Sequence, residues 1–289
     1  NSRGCLGPEF SPQKPADTVR VFCLGCSCTA GDLLPSFDDT YPSQLARELG
    51  RLYPGRSFEV INAGVGGYSS FQGRTWLERE LLGYRPDLVV IYFGWNDHWP
   101  ARLGGQDKWV SGSLSERLRA WLGWSKVLQL LVRGAQTLRG RSQSPDASPA
   151  LPAVGQTARV SLNDYEANLK AMVAALRNQG ADAILVTAPN YLELAAAGQP
   201  PGDQAANGLI GVHAAYNAAV RQVAEELDVC LVDAVRDFRT EPDPARLFWR
   251  PPGKAIDFIH LSAEGYGRLA RAIAASAAVR KLASEASAP

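Results

Sequence analysis

The chain has 289 residues, 46% of them hydrophobic and 20% charged, which excludes a disordered or fibrous chain and suffices for one sizeable core. Lys and Arg number 30 against 29 Asp and Glu, a net charge of +1, so no global field argues for nucleic acid as a partner. No apolar run reaches the roughly 18 residues of a membrane span, and no signal-peptide pattern opens the chain. Asn1 stands where an initiator Met would be, consistent with a preceding tag, signal or anchor.

Strand-like and helix-like segments alternate. Residues 19 to 25 read as a first strand, and Thr40-Tyr41-Pro42 opens a helix to about residue 53, with Thr40 as its cap and Pro42 in the first turn. Residues 57 to 63 form a second strand, and Ser69 or Ser70 caps a helix running to residue 82. Leu88-Val89-Val90-Ile91-Tyr92-Phe93 has the unbroken apolar character of a strand buried on both faces. A helix over 163 to 179 precedes a strand at 183 to 187, a helix over about 209 to 227 precedes a strand at 229 to 232, and Ser262 caps a last helix through about 283. Five strands separated by helices of crossover length imply a parallel three-layer α/β/α sheet, with its site at the carboxyl ends of the strands.

Residues 99 to 158 break the rhythm. Leu114, Leu118, Trp121, Leu122, Leu128, Leu131, Val132, Ala135 and Leu138 recur at helical spacing there, and eight basic residues face two acidic ones between 102 and 141. Such an amphipathic, cationic insertion suits a lid, an acyl-chain wall or a surface that meets anionic lipid, or else a helical pair with a solvated basic face. Residues 140 to 158 read as a surface loop.

The first strand delivers Ser27 into a turn, Gly25-Cys26-Ser27-Cys28-Thr29, where a nucleophile would sit. A hydroxyl needs a general base, and the base needs an orienting group on its other ring nitrogen. Of three histidines, His213 lies on an expected helix and His98 has no carboxylate at a productive spacing, whereas His260 has Asp257 three residues earlier. The backbone N–H groups of Ser27 and Gly67 and the Asn96 amide are the candidate donors for an oxyanion, with turn punctuation and loop bracing as the other readings of Gly67 and Asn96. Trp95, His98 and Trp99, with Cys26, are candidates for the border of a substrate pocket, and core packing is the other reading of the tryptophans.

A thiol nucleophile at Cys26 or Cys28 remains an alternative. The odd cysteine count, with Cys23 and Cys230 inside apolar runs, argues against a disulfide framework, and the Cys26/Cys28 pair lacks further metal ligands nearby. Gly64-Val65-Gly66 begins like a dinucleotide fingerprint but has Ser69 where the third glycine belongs. The serine turn also lacks the second glycine of a G-x-S-x-G elbow.

Taken in order, these stretches resemble the SGNH (GDSL-like) hydrolase superfamily, from about residue 20 to 275. Arg85-Pro86-Asp87 before the third strand, and His260-Leu261-Ser262 followed by Gly265-Tyr266, also look like this family. Cys26 departs from the Asp or Gly usual there. The resemblance implies a flavodoxin-like α/β/α fold with a five-stranded parallel sheet and a helical insertion. It implies a single hydrolase domain over 19 to 289, with an N-terminal extension over 1 to 18 and an insertion over 99 to 158. It puts the four signature residues on Ser27, Gly67, Asn96 and His260, with Asp257 as third triad member. The implied activity is hydrolysis of a small-molecule, lipid or sugar acyl ester through an acyl-enzyme, without metal or organic cofactor. Acyl transfer to a sugar or other alcohol by the same triad, and a catalytically silent binding module, are the alternatives. The opening Asn1-Ser2-Arg3-Gly4 resembles members tethered by an N-terminal membrane segment, which implies a location outside the cytoplasm.

Overall fold

The computed structural model describes residues 1–101, 106–107, 157–196 and 204–285. The expected helical insertion therefore lies almost wholly outside the described residues.

Strands β1 (Thr18–Gly25), β2 (Ser57–Gly64), β3 (Leu88–Tyr92), β4 (Asp182–Val186) and β5 (Cys230–Val232) form an all-parallel sheet in the order β2-β1-β3-β4-β5. Every residue of β3 is buried, as befits a strand enclosed by neighbours on both edges and by helices on both faces. The chain steps outward from β1 to β2 and then crosses back to β3, so the order reverses beside β1. Ligands in open α/β sheets bind at this kind of reversal, beyond the carboxyl ends of the strands. The register levels those ends, Gly25 pairing with Gly64 on one side and Tyr92 on the other.

Among the described residues the helices are α1 (Ser27–Ala30), α2 (Tyr41–Leu52), α3 (Ser70–Arg79), α4 (Trp95–His98), α5 (Leu162–Arg177), α6 (Tyr191–Ala196), α7 (Gln204–Glu226), α8 (Ala234–Phe238), α9 (Ala263–Ala274) and α10 (Ala277–Glu285). In α2 the Thr40 side chain caps the first turn and Pro42 fills a position whose N–H has no intrahelical acceptor. Tyr41, Leu45 and Leu49, four residues apart, are fully buried. That stripe packs α2 against α9 and β2, while α5 packs against α3 and α7.

Two helices end earlier than their sequence pattern suggests. The helix expected to reach 82 stops at Arg79, and a 3-10 turn, Leu81–Tyr84, follows. Arg85 then sits at φ 53°, outside the right-handed region that a residue before proline disfavours. The last helix is two: the Ser276 hydroxyl accepts from Val279 N–H at 3.4 Å and starts α10 afresh.

The segment before β1 is stitched to the domain by a fully buried arginine. Arg20 Nε meets Glu59 Oε2 at 2.6 Å, Nη1 donates to the carbonyls of Pro12 (3.2 Å) and Tyr84 (2.7 Å), and Nη2 donates to Ser11 O (2.8 Å). Its guanidinium lies over Phe10, which packs edge-on against Phe22 and Tyr84. The charge is buried yet well satisfied, which makes its burial tolerable.

Candidate active site

Ser27 is the first residue of α1, directly beyond β1, with extended Cys26 before it and left-handed Gly31 after it. So short a helix fits against the sheet end because Gly64 has no side chain: a Cβ there would lie 2.2 Å from Ala30 N. The turn leaves Ser27 half-buried, while Cys26 and Cys28 on either side are turned inward, 2% and 0% exposed. The hydroxyl, not either thiol, therefore faces the imidazole.

His260 Nε2 lies 3.0 Å from Ser27 Oγ, and His260 Nδ1 lies 3.2 Å from Asp257 Oδ2. Asp257 Oδ1 also accepts from the backbone N–H groups of Ile259 (2.7 Å) and His260 (2.8 Å). Burial alone would raise this carboxyl, but the His260 ring and the two amides together hold it below the usual carboxylate range. The loop that carries both residues is itself braced. Trp249 N–H donates to His260 O (2.9 Å), Asp257 N–H donates to Trp249 O (2.8 Å), and Phe248 bridges Leu261.

Beyond β2, Val65 to Tyr68 form a β-turn closed by a 3.1 Å bond from Tyr68 N–H to Val65 O. Gly67, its third residue, sits at φ +81°, as a type II turn requires and a side chain opposes. Asn96 lies in α4, beyond β3, and its Nδ2 donates to Tyr68 O at 3.1 Å. The turn bearing Gly67 and the amide of Asn96 are thus brought together, and Ser27 N–H, at the first position of its helix, has no acceptor within that helix.

Asp97 is a residue that sequence reasoning passed over. It is fully buried, with Oδ1 accepting from Ser70 N–H (2.8 Å) and Oδ2 from Gly94 N–H (3.1 Å), so it ties the start of α3 to the start of α4. Burial pushes its carboxyl up to about 6, against the pull of those donors and of Arg159. An acidic residue at the third position of a short helix after Gly94 was the available signal.

The proposed pocket residues divide. Trp99 is half-buried, but Trp95 and His98 are buried, 3% and 5% exposed. Trp95 stacks on His213 with ring centroids 3.8 Å apart, and His98 Nε2 meets His213 Nδ1 at 2.9 Å. His213 Nε2 donates to Ala188 O at 2.8 Å, so His213 Nδ1 must accept and His98 Nε2 must carry the proton. Both rings are neutral, burial pushing His98 down to about 3 and His213 to about 4. They brace α4 from the interior. Among the described residues no group of three or more His, Cys, Asp and Glu side chains is placed to hold a metal ion.

A family description, the GDSL-like lipase/acylhydrolase family, matches residues 23–268. Several solved structures are similar over most of their length. The acetylxylan esterase Axe2 from Geobacillus stearothermophilus is 20% identical, with 89% of this chain and 92% of that chain covered and a TM-score of 0.52. A lipase/acylhydrolase from Enterococcus faecalis is 18% identical, with 92% and 96% covered and a TM-score of 0.53. LAE5, an alpha/beta hydrolase enzyme from the metagenome of Lake Arreo, Spain, is 20% identical, with 91% and 96% covered and a TM-score of 0.54. At these identities the likeness is one of fold, and no curated protein matches. The family match spans most of the chain, from inside β1 into α9, and the five-stranded parallel sheet is of the same kind: the chain belongs to the GDSL-like lipase/acylhydrolase family of ester hydrolases, whose fold is the SGNH fold.

Proposed function

We propose that this ester hydrolase works through a covalent acyl-enzyme on Ser27, with His260 as general base and Asp257 as the group that orients it. The observation that carries the reading is the continuous relay from Asp257 Oδ2 through His260 to Ser27 Oγ, at 3.2 and 3.0 Å. His260 Nε2 takes the hydroxyl proton as Oγ attacks the ester carbonyl, and Asp257 holds Nδ1–H and steadies the imidazolium. The tetrahedral oxyanion is met by Ser27 N–H, Gly67 N–H and the Asn96 amide. Each such donor is worth about 3 kcal/mol in the transition state. Collapse expels the alcohol, which leaves with the proton from His260, and water activated by the same imidazole then attacks the acyl-enzyme and frees Ser27.

Labelling with a fluorophosphonate tests this directly. The parent protein is expected to gain one covalent phosphonate at Ser27 and to lose esterase activity in proportion, while Ser27→Ala takes up none. Label on Cys26 or Cys28, or esterase activity surviving in Ser27→Ala, would overturn the assignment.

A further inference from the structure

Arg159 lies 18% exposed beside Asp107, which is 15% exposed. The two side chains pair, with Arg159 Nε to Asp107 Oδ1 at 3.3 Å and Nη2 to Oδ2 at 3.0 Å. The rest of the fork reaches the turn beyond β2: Nη1 donates to Gly67 O at 2.9 Å and Nη2 to Gln72 Oε1 at 3.2 Å. Gln72 Oε1 in turn accepts from Ser69 N–H at 3.0 Å, and the Ser69 hydroxyl donates to Asp107 Oδ2 at 2.6 Å.

Apart from the two bonds that join the pair itself, these bonds converge on residues 67 to 72. The pair is also anchored to the next strand end. Arg159 N–H donates to Trp99 O (2.9 Å), Asp107 N–H to Arg159 O (2.9 Å) and Val160 N–H to Asp97 O (2.9 Å), with Pro100 bridging Ala158. Arg159 therefore joins the two: its backbone is held by the chain that follows Asn96, and its guanidinium holds the carbonyl of Gly67.

We propose that Arg159, set by Asp107, is a positioning residue for the oxyanion site: it fixes the Gly67 peptides so that the Gly67 N–H and the Asn96 amide point at one spot. This rests on the reading that Gly67 N–H is an oxyanion donor. A glycine turn at positive φ has little of its own to hold its peptides in one orientation, since glycine populates both signs of φ with ease. A charge-assisted bond to the Gly67 carbonyl removes that freedom before substrate arrives. Asp107 cancels the arginine charge nearby, so the contribution is orientation rather than field.

The test is steady-state kinetics on a short p-nitrophenyl ester. Arg159→Met should lower kcat by about 10- to 100-fold, the scale of a small misplacement of a catalytic donor, with KM changed by less than about threefold because the donor acts in the transition state. Arg159→Lys should lose less, since an ammonium can hold Gly67 O but cannot span Gln72 and Asp107 as well. Guanidinium added to Arg159→Gly should restore part of kcat. An unchanged kcat in Arg159→Met, beside a Ser27→Ala variant that is dead and an Asn96→Ala variant that is slow, would overturn the clamp and leave the oxyanion reading standing. Full activity in Ser27→Ala would overturn both. Should Arg159→Met not fold, Arg159→Lys decides: a lower kcat at constant KM supports the clamp, and parental kcat or a rise in KM alone refutes it.

Discussion

On the proposed mechanism Ser27 and His260 act on one proton, so removing either is expected to abolish turnover of a short aryl ester, and the double variant should be little worse than the singles. Additive losses would show two independent roles. Asn96→Ala should lower kcat by roughly 100- to 1000-fold with KM nearly constant, and a higher KM at unchanged kcat would make it a substrate-binding residue instead. As candidates these residues were legible because their types, order and placement after strands suit the chemistry proposed, and the short Asp257-to-His260 spacing makes their contact local. Arg159 was not legible in the same way. Its partner Gly67 is 92 residues away, and an arginine after a Ser-Pro-rich stretch looks like any solvated charge until the fold closes. The same holds for His98 and His213, 115 residues apart, where the expectation of a pocket-lining His98 gave way to a buried pair.

Among the elements, β1 was readable from its apolar run, but nothing in that run tells what its arginine does. Arg20 instead carries the three carbonyls of residues 11, 12 and 84 as well as Glu59. Arg20→Met should cost about 2–4 kcal/mol in urea unfolding, because it orphans those acceptors together. kcat of the folded fraction should stay parental, as the arginine touches no site residue. A loss below about 0.5 kcal/mol, the range of ordinary surface substitutions, would mean that water replaces it freely. The break at Ser276 was hidden because alanine-rich flanks favour helix on both sides, and propensity alone has no reason to stop there. Helix starts fared better: Thr40, Ser69 and Ser262 each stand at a start that the structure places within a residue of the expected one.

For the molecule as a whole, strand and helix alternation was enough for a parallel α/β sheet, whereas the order of strands across it is not written in any local period. Long-range burial also sets the response to acid. His98 and His213 are held neutral in the fold down to about 3 and 4, while an unfolded chain protonates them near 6.5. Their contribution to stability is therefore full above pH 6.5 and is lost as the pH falls toward 4. Asp97 works the other way: raised from 3.8 to about 6, it favours the fold as acid protonates it over that interval. Two histidines displaced further than one aspartate should prevail, so Tm should fall steadily from pH 6.5 to about 4. A Tm that rose over this range would show Asp97 dominating.

The hydrogen bond between Ser27 and His260 joins residues 233 apart. On the proposed mechanism a chain that ends just after β5 carries its serine but lacks the base that activates it. On that mechanism the hydroxyl gains its reactivity only when the closing loop and α9 have docked and brought His260 to it. Phosphonate labelling of ribosome-released fragments would follow this as a clock: none from chains ending before residue 257, and full reactivity only once the C-terminal helices have closed the ring.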